Sequence, residues 1–128
     1  MTGMRVTALW ARNNGWPSIF QVLCHNCNFL KRLEAAPIGI SRHAQRHREI
    51  RREVLTHYAN GPIKCAMCDI TDVRVLTIDH IGGGGCAHRK SLGTVSGISI
   101  YKWLLASGFP EGFRVLCWNH NTGAHCLS

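Results

Sequence analysis

Apolar positions in this chain form short runs separated by glycine and proline, with one long polar stretch between them. That polar stretch, residues 42–60, reads as a helix. Ile50, Val54 and Tyr58 recur every four residues, Ser41 stands where an N-cap is expected, and Gly61-Pro62 closes the segment. A shorter helix is expected over residues 28–34, broken by Ala35-Ala36-Pro37-Ile38-Gly39. The β-branched run of residues 73–78 predicts a strand that ends at Asp79-His80. Four glycines, residues 82–85, then turn the chain into His88-Arg89-Lys90. After a flexible connection at residues 93–97, Ser99 is placed to cap a helix over residues 100–107. Its core face would hold Ile100, Trp103 and Leu104, with Leu105 as a further candidate. Gly108 and Phe109-Pro110 lead into a last strand at residues 113–116. Trp10, Trp16, Phe20, Trp103 and Trp118 are expected to pack in the interior. The mixture predicts an α+β fold.

Composition narrows the function classes. The 128 residues make one ordinary domain. Fifteen Lys and Arg against seven Asp and Glu give a formal charge of +8, which favours a polyanionic partner, most simply nucleic acid. Residues 31–52 concentrate this charge on Arg42, Arg46, Arg48, Arg51 and Arg52, which suit bidentate contact with a DNA backbone. Cysteines in C-x-x-C and C-x-x-H settings point to metal in a reducing compartment instead of a disulfide framework. No apolar run reaches the roughly 18 residues of a membrane span, and no signal-peptide core precedes the domain. A soluble, cytoplasmic protein is expected.

Two sets of residues carry chemistry. Asp79 and His80 pair a carboxylate that can hold a divalent ion with an imidazole that can take a proton near neutral pH. The bland alternative is a loop-capping Asp beside a solvated His. Cys65-Ala66-Met67-Cys68 and Cys117-Trp118-Asn119-His120 bracket that pair. Each has knuckle spacing, and together they supply the four ligands of a closed zinc site. Cys86, in the glycine loop, is read as a free thiol.

The motifs CAMC, VLTIDHIGGGG..HRK and IYKWLLASGFPEGFRVLCWNHN resemble those of the HNH (His-Me finger) endonucleases, especially the small zinc-bearing phage and bacterial type. The resemblance spans residues 55–121. It implies a zinc-stabilised ββα-metal fold, to which the basic stretch before it is expected to add an N-terminal helical arm. It also implies metal-dependent hydrolysis of DNA phosphodiesters, one strand per active site, so that cutting both strands needs a homodimer or a second event. Carried over, His80 is the general base, and Asp79 and Asn121 hold a catalytic Mg²⁺ or Mn²⁺. Cys65, Cys68, Cys117 and His120 hold structural Zn²⁺. His88, Arg89 and Lys90 contact phosphate.

The chain also repeats itself. Residues 10–28 align without a gap on residues 103–121, matching Trp10/Trp103, Gly15/Gly108, Pro17/Pro110, Phe20/Phe113, Val22/Val115, Leu23/Leu116, Cys24/Cys117, Asn26/Asn119 and Asn28/Asn121. The division expected is residues 1–36 as a partial repeat, 37–61 as basic linker and helix, and 62–128 as the nuclease domain. Cys24 and Cys27 leave three options open. They complete the Cys65/Cys68 site in permuted order with Asn28 as metal ligand; they hold a second metal with His125, Cys126 or a symmetry partner; or they are a zinc-free remnant. Three function classes also stay open: a nuclease, a zinc-stabilised nucleic-acid-binding protein with an idle active site, and a protein-binding scaffold.

Overall fold

A computed structural model describes residues 3–35, 41–94 and 96–126, with side chains described from residue 7 to residue 124 within those ranges. The predicted break at residues 36–39 and the side chains of His125 and Cys126 lie outside them. Among the described residues the fold is α+β: six helices and a two-stranded antiparallel sheet. The helices are α1 (Gly3–Asn13), α2 (His25–Glu34), α3 (Arg42–Ala59), α4 (Gly85–Ser91), α5 (Ile98–Ala106) and α6 (Trp118–Cys126), and the strands are β1 (Leu76–His80) and β2 (Phe113–Cys117).

α3 forms where the pattern placed it. Ser41 Oγ accepts the Ala44 N–H at 3.2 Å, and Asn60 ends the helix in the left-handed region at φ 49°. Ile50 and Val54 of its stripe are buried and join Leu55, Leu76, Ile78, Ile100, Leu104, Val115 and Leu116 in one core, while Tyr58 is half-buried against it. The basic segment is therefore a structural wall of the domain and not an arm, since its apolar face has no other place to leave water.

β1 begins later than the β-branched run suggested. Asp72 accepts the Arg74 N–H at 3.0 Å and winds Val73–Val75 into a 3₁₀ turn, so the strand carries Asp79 and His80 within it. The register pairs Leu76 with Cys117, Asp79 with Arg114 and His80 with Phe113. Tyr101 secures the other edge of β1: its hydroxyl lies 3.2 Å from Thr77 Oγ1 and accepts the Ile78 N–H at 3.2 Å. Arg51 of α3 donates to the Leu76 carbonyl. β1 is thus fixed on both sides by groups that satisfy its backbone.

Other expectations change. The glycine run ends in a helix, α4, because Gly84 at φ 95° turns the chain and Gly85 opens a helical turn. α5 starts two residues earlier than predicted, after Gly97, and Ser99 lies inside it, its hydroxyl 3.3 Å from Thr94 Oγ1. Trp10, Trp16 and Phe20 are not core residues: they are 48%, 67% and 44% exposed, and Trp10 packs edge-on against Phe20 at 5.8 Å. Their counterparts in the second copy are half-buried by other elements: Trp103 packs on His88 of α4, Phe109 on His57 and Tyr58 of α3, and Phe113 on His80 of β1. No helix among the described residues is long and apolar enough to cross a membrane.

Candidate metal centre and basic cleft

Cys65 and Cys68 occupy a tight turn in which Cys65 Sγ accepts the Met67 N–H at 3.5 Å. The Ala66 N–H donates to the Val115 carbonyl at 2.9 Å, tying this knuckle to β2. Cys117 ends β2, and His120 lies in the first turn of α6. All four ligand atoms lie within 4.8 Å of one another. Cys65 Sγ and Cys117 Sγ are 3.5 and 3.3 Å from His120 Nδ1, and Cys68 Sγ is 3.9 Å from Cys117 Sγ. Donors bound tetrahedrally at about 2.0–2.3 Å from one ion would stand roughly 3.5–3.8 Å apart, so the set fits a four-coordinate metal. Burial pushes the Cys117 thiol up, but the Asn26 side chain and His120 outweigh it and bring the thiol to about 6, towards the thiolate that metal binding requires.

Cys24 and Cys27 are not part of this cluster. Both are exposed, and the permuted arrangement does not form. Their knuckle nevertheless has the same local shape, with Cys24 Sγ accepting the Cys27 N–H at 3.5 Å before α2 begins. The two copies of the repeat meet directly. Asn119 Oδ1 accepts the Asn26 N–H and Asn26 Oδ1 accepts the Asn119 N–H, both at 3.1 Å. These asparagines are equivalent positions in the repeat, so the knuckles face each other across a local two-fold. Trp118, also equivalent to His25, stacks on it with ring centres 5.4 Å apart, and Phe29 lies against the same indole. Trp118 thus packs as expected. His25, given no role by the sequence, is 2.9 Å from Thr122 Oγ1 through Nδ1.

On the other side of β1 lies a cleft of about 710 Å³, lined by Asp79, His80 and Asn121 together with Arg48, Arg51 and Arg89. The sequence-predicted triad is therefore brought to one cavity. Asp79 is only 2% exposed and accepts from Arg114 Nε at 2.8 Å, so it is a buried, compensated carboxylate and not a rim residue. Hard oxygens from Asp79 and Asn121 suit a divalent ion of the magnesium class in donor type. His80 Nε2 lies 2.8 Å from His88 Nδ1, and its Nδ1 faces Gly85, where a Cβ would stand 3.0 Å away. His88 is thus held against His80 and, edge-on, against Trp103 at 4.3 Å; it is a partner of the imidazole where phosphate contact was expected.

Of the basic residues, Arg48 and Arg89 are exposed on the cleft, while Arg51 is committed to the β1 backbone. Arg42, Arg46, Arg52 and Lys90 are exposed away from the cleft lining, and Arg46 pairs with Glu49 at 3.3 Å. Arg114, Tyr101 and His88 were missed as positioning residues. Only the register of β1 on β2, which sets Arg114 opposite Asp79, could have signalled the first. Cys86 lines the cleft as an exposed thiol. No family model, curated protein or solved structure matches the chain.

Proposed function

We propose that this protein is a metal-dependent DNA endonuclease of the HNH type, with zinc in the Cys65/Cys68/Cys117/His120 centre. One observation carries the reading: a single strand delivers a buried carboxylate and an imidazole to a cleft shared with Asn121 and three arginines. Asp79 and Asn121 would hold a Mg²⁺-class ion, whose Lewis acidity stabilises charge on the phosphate and the departing oxygen. Three soft thiol ligands and one imidazole suit zinc in the other centre.

The remaining steps belong to the chain's own side chains. With His80 Nε2–H donating to His88, the imidazole is in the tautomer whose Nδ1 carries the lone pair. Nδ1 then takes a proton from water as that water attacks phosphorus in line with the leaving 3′ oxygen. Gly85 keeps space beside that nitrogen. Arg48 and Arg89 orient the phosphate, and Arg51 holds β1 in place instead.

The second reading is a zinc-stabilised nucleic-acid-binding protein with an idle cleft. The Arg114–Asp79 pair favours it, since a carboxylate already compensated by guanidinium attracts a divalent ion less. Supercoiled plasmid incubated with the protein and Mg²⁺ or Mn²⁺ separates the two. The nuclease reading expects nicked circles that disappear with EDTA. DNA binding without nicking in either metal would sustain the second reading.

A further inference from the structure

The Cys24–Cys27 knuckle has the shape of a metal half-site and lacks its other half. In the second copy the equivalent knuckle meets Cys65 and Cys68, and the residues before it pair with β1. In the first copy nothing takes those places among the described residues. Val22 is 101% exposed where its equivalent Val115 is 2% exposed, and Phe20 and Leu23 remain open to solvent beside the thiols. No group of three metal-ligating side chains among the described residues includes Cys24 or Cys27. Cys65 and Cys68 already stand with Cys117 and His120, and His25, within the knuckle, is stacked on Trp118 and bonded to Thr122.

Two thiolates do not close a tetrahedral zinc site, which takes four ligands. A second copy of the chain, related by a two-fold axis, supplies the same two. We propose that two copies share one zinc ion bound by Cys24 and Cys27 from each, with Phe20, Val22 and Leu23 packed across the axis. Four thiolates on a divalent ion sum to two negative charges. Lys31 and Arg32, which line the groove beside this knuckle together with Phe20 and Leu23, offset them. The exposed apolar patch gives the two copies surface to bury that the first repeat otherwise leaves in water. The assembly stands or falls independently of whether the cleft hydrolyses DNA.

Zinc content and sedimentation velocity of the full chain, loaded with zinc under a phosphine reductant, test this directly. The expected result is a dimer holding roughly 1.5 zinc ions per chain, one private site each and one shared. The double variant Cys24→Ser/Cys27→Ser changes only exposed side chains, and should be a monomer with about one zinc per chain. Val22→Asp should weaken the dimer while leaving every ligand in place. A wild-type monomer would overturn the proposal, whether it holds about one zinc per chain or about two. So would a dimer that survives loss of both thiols.

Discussion

Gly85 is the residue at which geometry and chemistry are most tightly joined. Its φ is not in the left-handed region, so alanine fits the backbone and, by helix propensity, should stabilise α4 by up to about 1 kcal/mol. The added methyl would nevertheless stand 3.0 Å from His80 Nδ1, on a ring already held through its other nitrogen by His88. Gly85→Ala is therefore expected to shift the thermal midpoint little, since the propensity gain and the crowding of His80 oppose each other, while nicking falls by about tenfold or more. Equal nicking by the variant would show that Nδ1 is not the working nitrogen. His88→Ala removes the 2.8 Å contact to His80 Nε2 through which the nuclease reading sets the His80 tautomer. Loss there should appear in the rate of nicking at saturating DNA, with DNA affinity little changed.

At the scale of elements, β1 depends on groups brought to it from three directions. Tyr101→Phe leaves the Ile78 N–H without its acceptor in a buried setting, which is expected to cost about 1–3 kcal/mol in a denaturant titration. A cost near zero would mean that β1 needs no latch. Asn26→Ala likewise removes the acceptor of the Asn119 N–H, and similar destabilisation is expected if the pairing of the two repeat copies is integral to the fold.

Much of this architecture could be read from the chain. Ser41, the four-residue stripe of α3 and Gly61 marked that helix closely, and the two knuckle spacings marked the four ligands that come together. The strand limits were less legible because Asp72 uses its side chain to wind a turn from residues that favour strand. α4 was hidden behind glycines, which read as loop until one of them caps a helix. The exposure of Trp10, Trp16 and Phe20 was invisible for a different reason. Their sequence matches Trp103, Phe109 and Phe113, which are half-buried against His88, His57 and His80, and pattern within the segment cannot reveal such partners from other elements. The ion pair of Arg114 with Asp79 follows only from register.

For the whole molecule, a metal ion held by Cys65, Cys68, Cys117 and His120 would tie the turn at residues 65–68 to the end of β2 and the start of α6. Chelation should therefore loosen the sheet as well as the knuckles. Prolonged treatment with a strong zinc chelator is expected to lower the unfolding temperature and broaden the transition, with recovery on zinc addition. An unchanged melting profile would mean that the four ligands hold no structural ion. The excess of basic residues predicts DNA affinity that falls steeply with salt, through release of counterions. Affinity indifferent to salt would instead favour a protein-binding scaffold.

The most direct test of the nuclease account is the cleavage rate of His80→Ala beside the wild type, with DNA binding measured on the same preparations. His80 is only partly buried, and its loss should leave the fold and DNA affinity close to native. Nicking in Mg²⁺ that is abolished in the variant while binding persists is the predicted result. Wild-type protein that binds DNA but nicks none, or a variant that nicks as fast as wild type, would contradict the account.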